Sequence, residues 1–327
     1  MCLCKQSAAE MKVLKNRLKK TWTAGNFVKI AVITEKAAAE FVGRLDLIPE
    51  MKVLDVACGT GNQSIPAAQA GAKVTGIDIA PNLLAQARSK AADKGLPIRF
   101  DEGDAERLPY DDQSFDHVIS MFGAMFAPRP DKVVIELLRV CRAGGSISMA
   151  NWTAPGFVGQ MVKIIGKHVS TSPSLAPSSP FQWGEAAWVR SYFGDAIFDL
   201  QCERRFVELS FPFGVRETIE YWRKYYGPAR KAFATLDRQG KANLLRDLER
   251  LWTENNTSSD GITSVKAEYL EVRAVKRERK NVQVLAFGGR KSGAARVFDF
   301  KFCSMKTKPV AGCKFKSPQT VAALTKM

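Results

Sequence analysis

The stretch MKVLDVACGTGN, Met51 to Asn62, constrains the fold of this chain more than any other. Val53, Leu54, Val56 and Ala57 are apolar and β-compatible, and Asp55 interrupts them near the end of the run. Gly59 and Gly61 then remove side chains where a backbone must bend and approach a ligand. A buried strand that enters a glycine turn and then a helix begins an open α/β sheet. The turn at the carboxyl end of such a strand is the usual ligand crevice.

The following residues repeat the unit. The pattern predicts strands at Lys52–Ala57, Lys73–Asp78, 97–104 (PIRFDEGD), Ser114–Met121 and Ser146–Trp152. Helices are expected between them, over 62–70, from Pro81 to Gly95, and from Asp131 to a stop at Gly144 and Gly145. Before this core, residues 5–20 read as a basic helix with Met11, Leu14 and Leu18 on one face, and a second helix runs from Ile30 to Leu47. After it come a Pro/Ser-rich segment within 153–195 (HVSTSPSLAPSSPF), a strand at 197–211, two helices (GVRETIEYWRKYYG and DRQGKANLLRDLERLW) and a last alternating strand, Val265–Ala274. The expected fold class is α/β. It has a doubly wound, mostly parallel, seven-stranded Rossmann-like sheet with a helical lid or insertion.

Charge separates the body from its end. The formal net charge is +16, yet residues 51–150 carry 11 basic and 12 acidic residues. Residues 274–327 carry 13 basic and 2 acidic ones, and no apolar period survives there. The tail 275–327 therefore reads as a disordered basic arm or a non-native extension. Steering of the whole body toward nucleic acid is not supported. No apolar run reaches membrane-span length and no leader-like start is present, so a cytoplasmic protein is expected. Seven scattered cysteines read as free thiols in a reducing compartment, and Cys2 and Cys4 have no nearby His or Cys with which to hold a metal.

The ligand is read from three acids. Asp55, Asp78 and Asp104 stand at or near the ends of the first three strands, which share one crevice in a doubly wound sheet. Asp78 follows the glycine turn at the distance of an acid that accepts ribose hydroxyls. Asp104 is placed to accept from an exocyclic amine, and Asp55 to organise the loop and favour a cationic ligand. A nicotinamide dinucleotide fits poorly. Ser64 stands where a third glycine is expected, and a carboxylate beside the turn would repel a pyrophosphate. A nucleoside with a sulfonium and an amino acid part, S-adenosylmethionine, suits the charges better.

Four motifs make the resemblance specific: VLDVACGTGN, VTGIDIAPNLLAQAR, FDEGDAERLPYDDQSFDHVISMFGAMF and LLRVCRAGGSISMANW. The chain resembles the class I S-adenosylmethionine-dependent methyltransferases, in particular the ubiquinone/menaquinone-biosynthesis type and its small-molecule relatives. The likeness runs over roughly residues 12–274. It implies a basic helix or lid over 1–28 and a methyltransferase domain over 29–274. Within that domain it implies a cofactor core at 51–152 and substrate-cap insertions at 153–195 and 212–260. It implies cofactor contacts at Asp55, Ala57, Gly59, Thr60, Gly61, Asn62, Asp78, Ile79, Asp104, Ala105 and Met121, with Asp78 on the ribose and Asp104 and Ala105 on the adenine.

Methyl transfer is an in-line displacement at an activated carbon, so the protein mainly positions the acceptor and excludes water. An acceptor pocket is expected from Phe122, Phe126, Trp152, His168, Trp183 and Tyr225, with Tyr226 beside them. His117, inside a strand, reads as structural. No catalytic base is identified, and no metal site is expected. The acceptor is expected to be a small molecule, aromatic or quinone-like. No Asn-Pro-Pro-Tyr or Asp-Pro-Pro-Tyr motif and no Pro-Cys pair are present, which disfavours DNA methylation. The competing reading is a non-catalytic Rossmann-like binding module whose basic tail engages RNA or an acidic partner.

Overall fold

The computed structural model describes residues 7–24, 26–169 and 179–278. The middle of the Pro/Ser-rich segment and nearly all of the basic tail lie outside these residues. The body is one seven-stranded sheet flanked by helices.

The strands are β1 (Lys52–Val56), β2 (Lys73–Asp78), β3 (Arg99–Glu102), β4 (Phe115–Met121), β5 (Cys141–Trp152), β6 (Ile197–Phe211) and β7 (Thr263–Lys276), in the spatial order β3-β2-β1-β4-β5-β7-β6. Strands β1 to β5 pair in parallel, and β7 runs antiparallel between β5 and β6. β1 is buried from Val53 to Val56, as a strand covered on both faces must be. The order of strands reverses beside β1, so the ends of β1 and β4 part there and open a crevice.

The helices are α1 (Ala8–Thr23), α2 (Phe27–Ala31), α3 (Glu35–Gly43), α4 (Ser64–Gln69), α5 (Pro81–Asp93), α6 (Pro130–Val140), α7 (Phe157–His168), α8 (Ala186–Phe193), α9 (Val215–Tyr225), α10 (Gly227–Thr235) and α11 (Arg238–Asn255). Ser7 and Glu10 close a reciprocal capping box at the start of α1. Pro81 and Pro130 occupy first-turn positions of α5 and α6, where a missing N–H costs nothing.

Five boundaries differ from the sequence expectation. The run 30–47 is not one helix: a 3-10 turn at Val32–Thr34 divides α2 from α3. β3 stops at Glu102 rather than continuing to Asp104, because Asp104 turns to cap the N–H of Glu106 with its own side chain (2.9 Å). α6 ends at Val140, and Cys141 already pairs with Phe115; the ladder resumes at Ser146 opposite His117, so residues 142–145 bulge outward. Gly144 takes the left-handed conformation (φ 67°) in this bulge, and a Cβ on Gly145 would lie 2.7 Å from the Asp116 carbonyl oxygen. The 153–195 segment is not simply a loop: it contains α7, whose buried Phe157, Met161 and Ile165 face the core, and α8. Finally, β7 persists to Lys276, since Ser146 and Ile197 still offer partners to Val275 and Lys276.

Candidate active site

The crevice above β1 and β4 is built first by backbone conformation. Ala57 and Phe122, the residues that follow β1 and β4, both adopt positive φ (58° and 59°). Such conformations cost an L-residue on the order of 1 kcal/mol or more each and persist only when packing imposes them. Here Ser120 Oγ donates to the Val56 carbonyl (2.7 Å) and accepts from the Ala124 N–H (3.1 Å), locking the two strand ends together. Gly123 permits the approach: a Cβ there would fall 2.5 Å from the Ala57 oxygen. Phe122 stacks flat on Trp152 at 3.6 Å between ring centroids.

The glycine turn is fixed from below. Asp78 is buried at the end of β2; its Oδ2 accepts from the Gly59 N–H (2.9 Å) and its Oδ1 from the Ala80 N–H (2.8 Å). Burial raises the Asp78 carboxyl above its ordinary value, and these backbone donors pull the other way. Gly59 (φ 54°) has open space where a Cβ would stand, so the turn presents bare backbone to the cavity. Asp55 lies deeper and does not line the cavity. It is fully buried, its Oδ2 accepts from Ser64 Oγ (2.6 Å) and its Oδ1 has no partner. Burial, with the nearby Asp78 charge, pushes its carboxyl up to about 7. Ser64, the residue that spoils a dinucleotide glycine pattern, is therefore the partner of this acid.

One cavity runs from the glycine turn to the opposite wall. Its polar end is lined by Ala57, Gly59, Thr60, Asn62, Asp78, Ile79, Asp104, Ala105 and Met121. Of the expected cofactor contacts, only Asp55 and Gly61 stand behind this wall. Gly61 (φ 81°) supports the turn, with Ala87 and Phe100 packed where its side chain would be. The far end is lined by Trp22, Phe27, Phe122, Phe126, Trp152, Val158, Leu209, Trp222 and Tyr226. Trp22 meets Phe27, Phe126 and Tyr226 edge-on, at 5.8, 5.2 and 6.4 Å. Burial holds the Tyr226 phenol far above its ordinary value, so it stays protonated.

Three expected acceptor residues lie elsewhere. His168 ends α7 and its Nε2 sits 2.9 Å from Asp247 Oδ2 on α11, tying two helices together. Trp183 is buried against Trp188 (5.1 Å) and does not line the cavity. Tyr225 faces a shallow surface groove with Phe213, Tyr221 and Lys224, whereas the next residue, Tyr226, turns inward where α9 gives way to α10. His117 is buried on β4 against Ser148 Oγ (2.9 Å), and burial lowers its pKa to about 4, so it stays neutral.

The cover was harder to foresee. Lys15 of α1 reaches Asp104 Oδ2 (2.5 Å) and the buried Glu106, and Lys19 reaches Glu102. Glu106 also accepts from the Arg129 N–H (2.7 Å), joining the loop after β3 to the loop after β4. Asn62 Nδ2 donates to the Ala31 carbonyl (2.8 Å), Tyr221 OH to the Lys29 carbonyl (2.8 Å), and Lys231 Nζ to Thr21 Oγ1 (2.6 Å). A Cβ on Gly227 would lie 2.2 Å from the Thr21 carbonyl oxygen, so α10 meets the end of α1 backbone to backbone. The hidden signal was the contact of Trp22 with Tyr226, itself packed on Trp222, residues about 200 positions apart that no local period connects.

A glycine turn held by the buried Asp78 and an acid beyond β3, Asp104, thus line one cavity at the carboxyl edge of the parallel strands. A methyltransferase domain family matches residues 53–145. The uncharacterized protein Rv1405c of Mycobacterium tuberculosis is 36% identical over 263 residues, 78% of this chain and 93% of that protein. The demethylmenaquinone methyltransferase of Renibacterium salmoninarum is 38% identical over 116 residues, 36% of this chain and 47% of that enzyme. A solved candidate methyltransferase from Bacillus halodurans shares the fold, with a TM-score of 0.53 at 21% identity over 74% of this chain and 99% of that one. The chain carries a methyltransferase domain over residues 53–145, on the fold of the class I methyltransferases. No helix among the described residues is long and apolar enough to cross a membrane.

Proposed function

We propose that this enzyme methylates a small planar molecule with an aromatic or quinol-like ring, by in-line displacement. The observation that carries the reading is that one cavity is lined both by the glycine turn with Asp78 and Asp104 and by a set of aromatic side chains. At the polar end, the Gly59 and Thr60 backbone would cradle the amino acid part of the cofactor. Each Asp78 oxygen spends one lone pair on a backbone N–H and keeps capacity for ribose hydroxyls. Asp104 and Ala105 would meet the adenine. The open space above Gly59 supports this fit, because any side chain there would fill the cradle.

When bound, S-adenosylmethionine supplies a methyl group on a sulfonium already activated for displacement. The chain's own work is to hold the acceptor in line and exclude water. Trp22, Phe27, Phe126, Trp152, Trp222 and Tyr226 offer ring faces and edges for a flat acceptor. No histidine lines the cavity among the described residues, and the Tyr226 hydroxyl stays protonated. A phenol or quinol is mostly protonated at neutral pH, so its hydroxyl proton passes to water as the methyl group arrives, and no cavity histidine among the described residues is there to take it.

The test is a methyl-acceptor screen with labelled cofactor, run on phenols and quinols against aliphatic amines and carboxylic acids. Labelling of the phenol or quinol class is expected. Labelling confined to amines or acids would overturn the reading, and so would mass spectrometry that finds only a non-aromatic product.

A further inference from the structure

The outer edge of the sheet carries an unusual strand. β6 is the terminal strand of the sheet, 15 residues long, and among the described residues its far edge pairs with nothing. Exposed strand edges are normally blunted by lysine, proline, a covering element or brevity. Ile197–Phe211 contains no lysine and no proline; its guards are five charged residues of both signs, Asp199, Glu203, Arg204, Arg205 and Glu208, and a bulge at one end. From Phe198 to Phe206 no residue is fully buried: Leu200 and Cys202 pack half-buried on the core, and the rest of the stretch is largely exposed. Phe198 and Phe206 are 59% and 61% exposed, the largest aromatic surfaces on the molecule's described residues.

The sequence of this edge is complementary to itself. In an antiparallel pair of two copies, residues directly opposite share a face of the sheet, so the two-fold axis passes through a residue. With the axis at Cys202, Phe198 opposes Phe206, Asp199 opposes Arg205, Leu200 opposes Arg204 and Gln201 opposes Glu203, each twice. Moving the axis to Gln201 sets Asp199 against Glu203. Moving it to Glu203 or Arg204 sets that charge against itself. Like charges directly opposite destabilise a pair, whereas aromatic and unlike-charge pairs each contribute up to about 1 kcal/mol. The bulge of β6 falls on Phe198 itself, so the regular ladder from Asp199 to Arg205, with its Asp199–Arg205 pairs, sets the register, and Phe198 meets Phe206 at its irregular end.

We propose that a second copy of this chain docks on β6, antiparallel and centred on Cys202, to join two seven-stranded sheets into one. Main-chain hydrogen bonds along the edge supply the attachment, and the charge pairs fix the register. The interface lies on the outermost strand, so it does not depend on the identity of the acceptor.

Cys202 provides the reporter. It is a free, half-buried cysteine at the axis, and directly opposite Cα atoms in an antiparallel pair are about 4.5–5.5 Å apart, within disulfide range. Mild oxidation with copper–phenanthroline in air would remove two protons and two electrons from the two thiols and form one inter-chain bond. Light scattering of the full chain is expected to find a dimer, and peptide mass spectrometry a Cys202–Cys202 link. Phe206→Lys and Asp199→Lys should each weaken the dimer roughly tenfold or more, with S-adenosylhomocysteine affinity unchanged as a check on folding. A monomer at all concentrations would overturn the proposal. So would a dimer indifferent to both substitutions, or an intra-chain link from Cys202 to Cys303, which would assign the edge to the chain's own C-terminal segment.

Discussion

The two ends of the cavity are made in different ways. The polar end comes from the tips of adjacent parallel strands and the turns that follow them, locked by Ser120 Oγ, Asp78 and the close approach at Gly123. The aromatic lining joins Trp22 of α1, Phe27 of α2, Trp222 of α9 and Tyr226, about 200 positions apart and tied by side-chain bonds such as Lys231 to Thr21, to Phe122, Phe126 and Trp152 at the ends of β4 and β5. The first end is held by a continuous hydrogen-bonded sheet and has little freedom. The second is held in part by helix packing, which tolerates repacking of volume.

The division can be tested by substitutions that act on one end alone. Asp78→Ala removes the buried carboxylate that orients Gly59 and faces the cavity, and the loss of charged hydrogen bonds should weaken S-adenosylhomocysteine binding by about 100-fold or more in calorimetry. Trp22→Ala should leave that affinity nearly unchanged while KM for the acceptor rises about tenfold, roughly 1.4 kcal/mol. Equal loss of both affinities would dissolve the distinction between the ends.

Asp55 supplies a pH signature of the polar end. Its folded pKa is raised to about 7, so the folded protein holds a proton there that the unfolded chain has already released. Stability should therefore fall as pH rises from the ordinary carboxylate range toward 7, and level off above it. Urea unfolding at about pH 5 and about pH 8 measures the slope, and Asp55→Asn should flatten it. The smallest effect is expected at the strand tip: Ala57→Gly relieves the positive φ and should raise thermal stability by up to about 1 kcal/mol, less the backbone entropy that glycine adds to the unfolded chain.

The same contrast explains what was legible in the sequence. The strands, the glycine turn and the acids at 55, 78 and 104 are written locally, in runs of apolar residues and in spacings of a few positions. Ser64 was visible as an exception, but its bond to Asp55 depends on how α4 leaves the turn. Tyr225 and Tyr226 show the limit: neighbours in sequence, they face opposite ways because the helix breaks between them, and composition carries no trace of that. Lys15 was equally silent. A lysine on a basic helix reads as solvated until the fold brings Asp104 and Glu106 to it. The bulge at 142–145 was masked because two glycines after a helix look like its stop.

The lysine clip on α1 has a kinetic meaning. Asp104, the acid expected to meet the adenine, is also the anchor for the cover, and Lys19 and Glu102 extend the clip toward solvent. The latch is thus ionic and partly exposed, and mobile salt weakens it more than it weakens the apolar seat of Met11 and Leu14. Release of S-adenosylhomocysteine is therefore expected to speed up as ionic strength rises. Stopped-flow release of S-adenosylhomocysteine in low and high salt would read that rate directly.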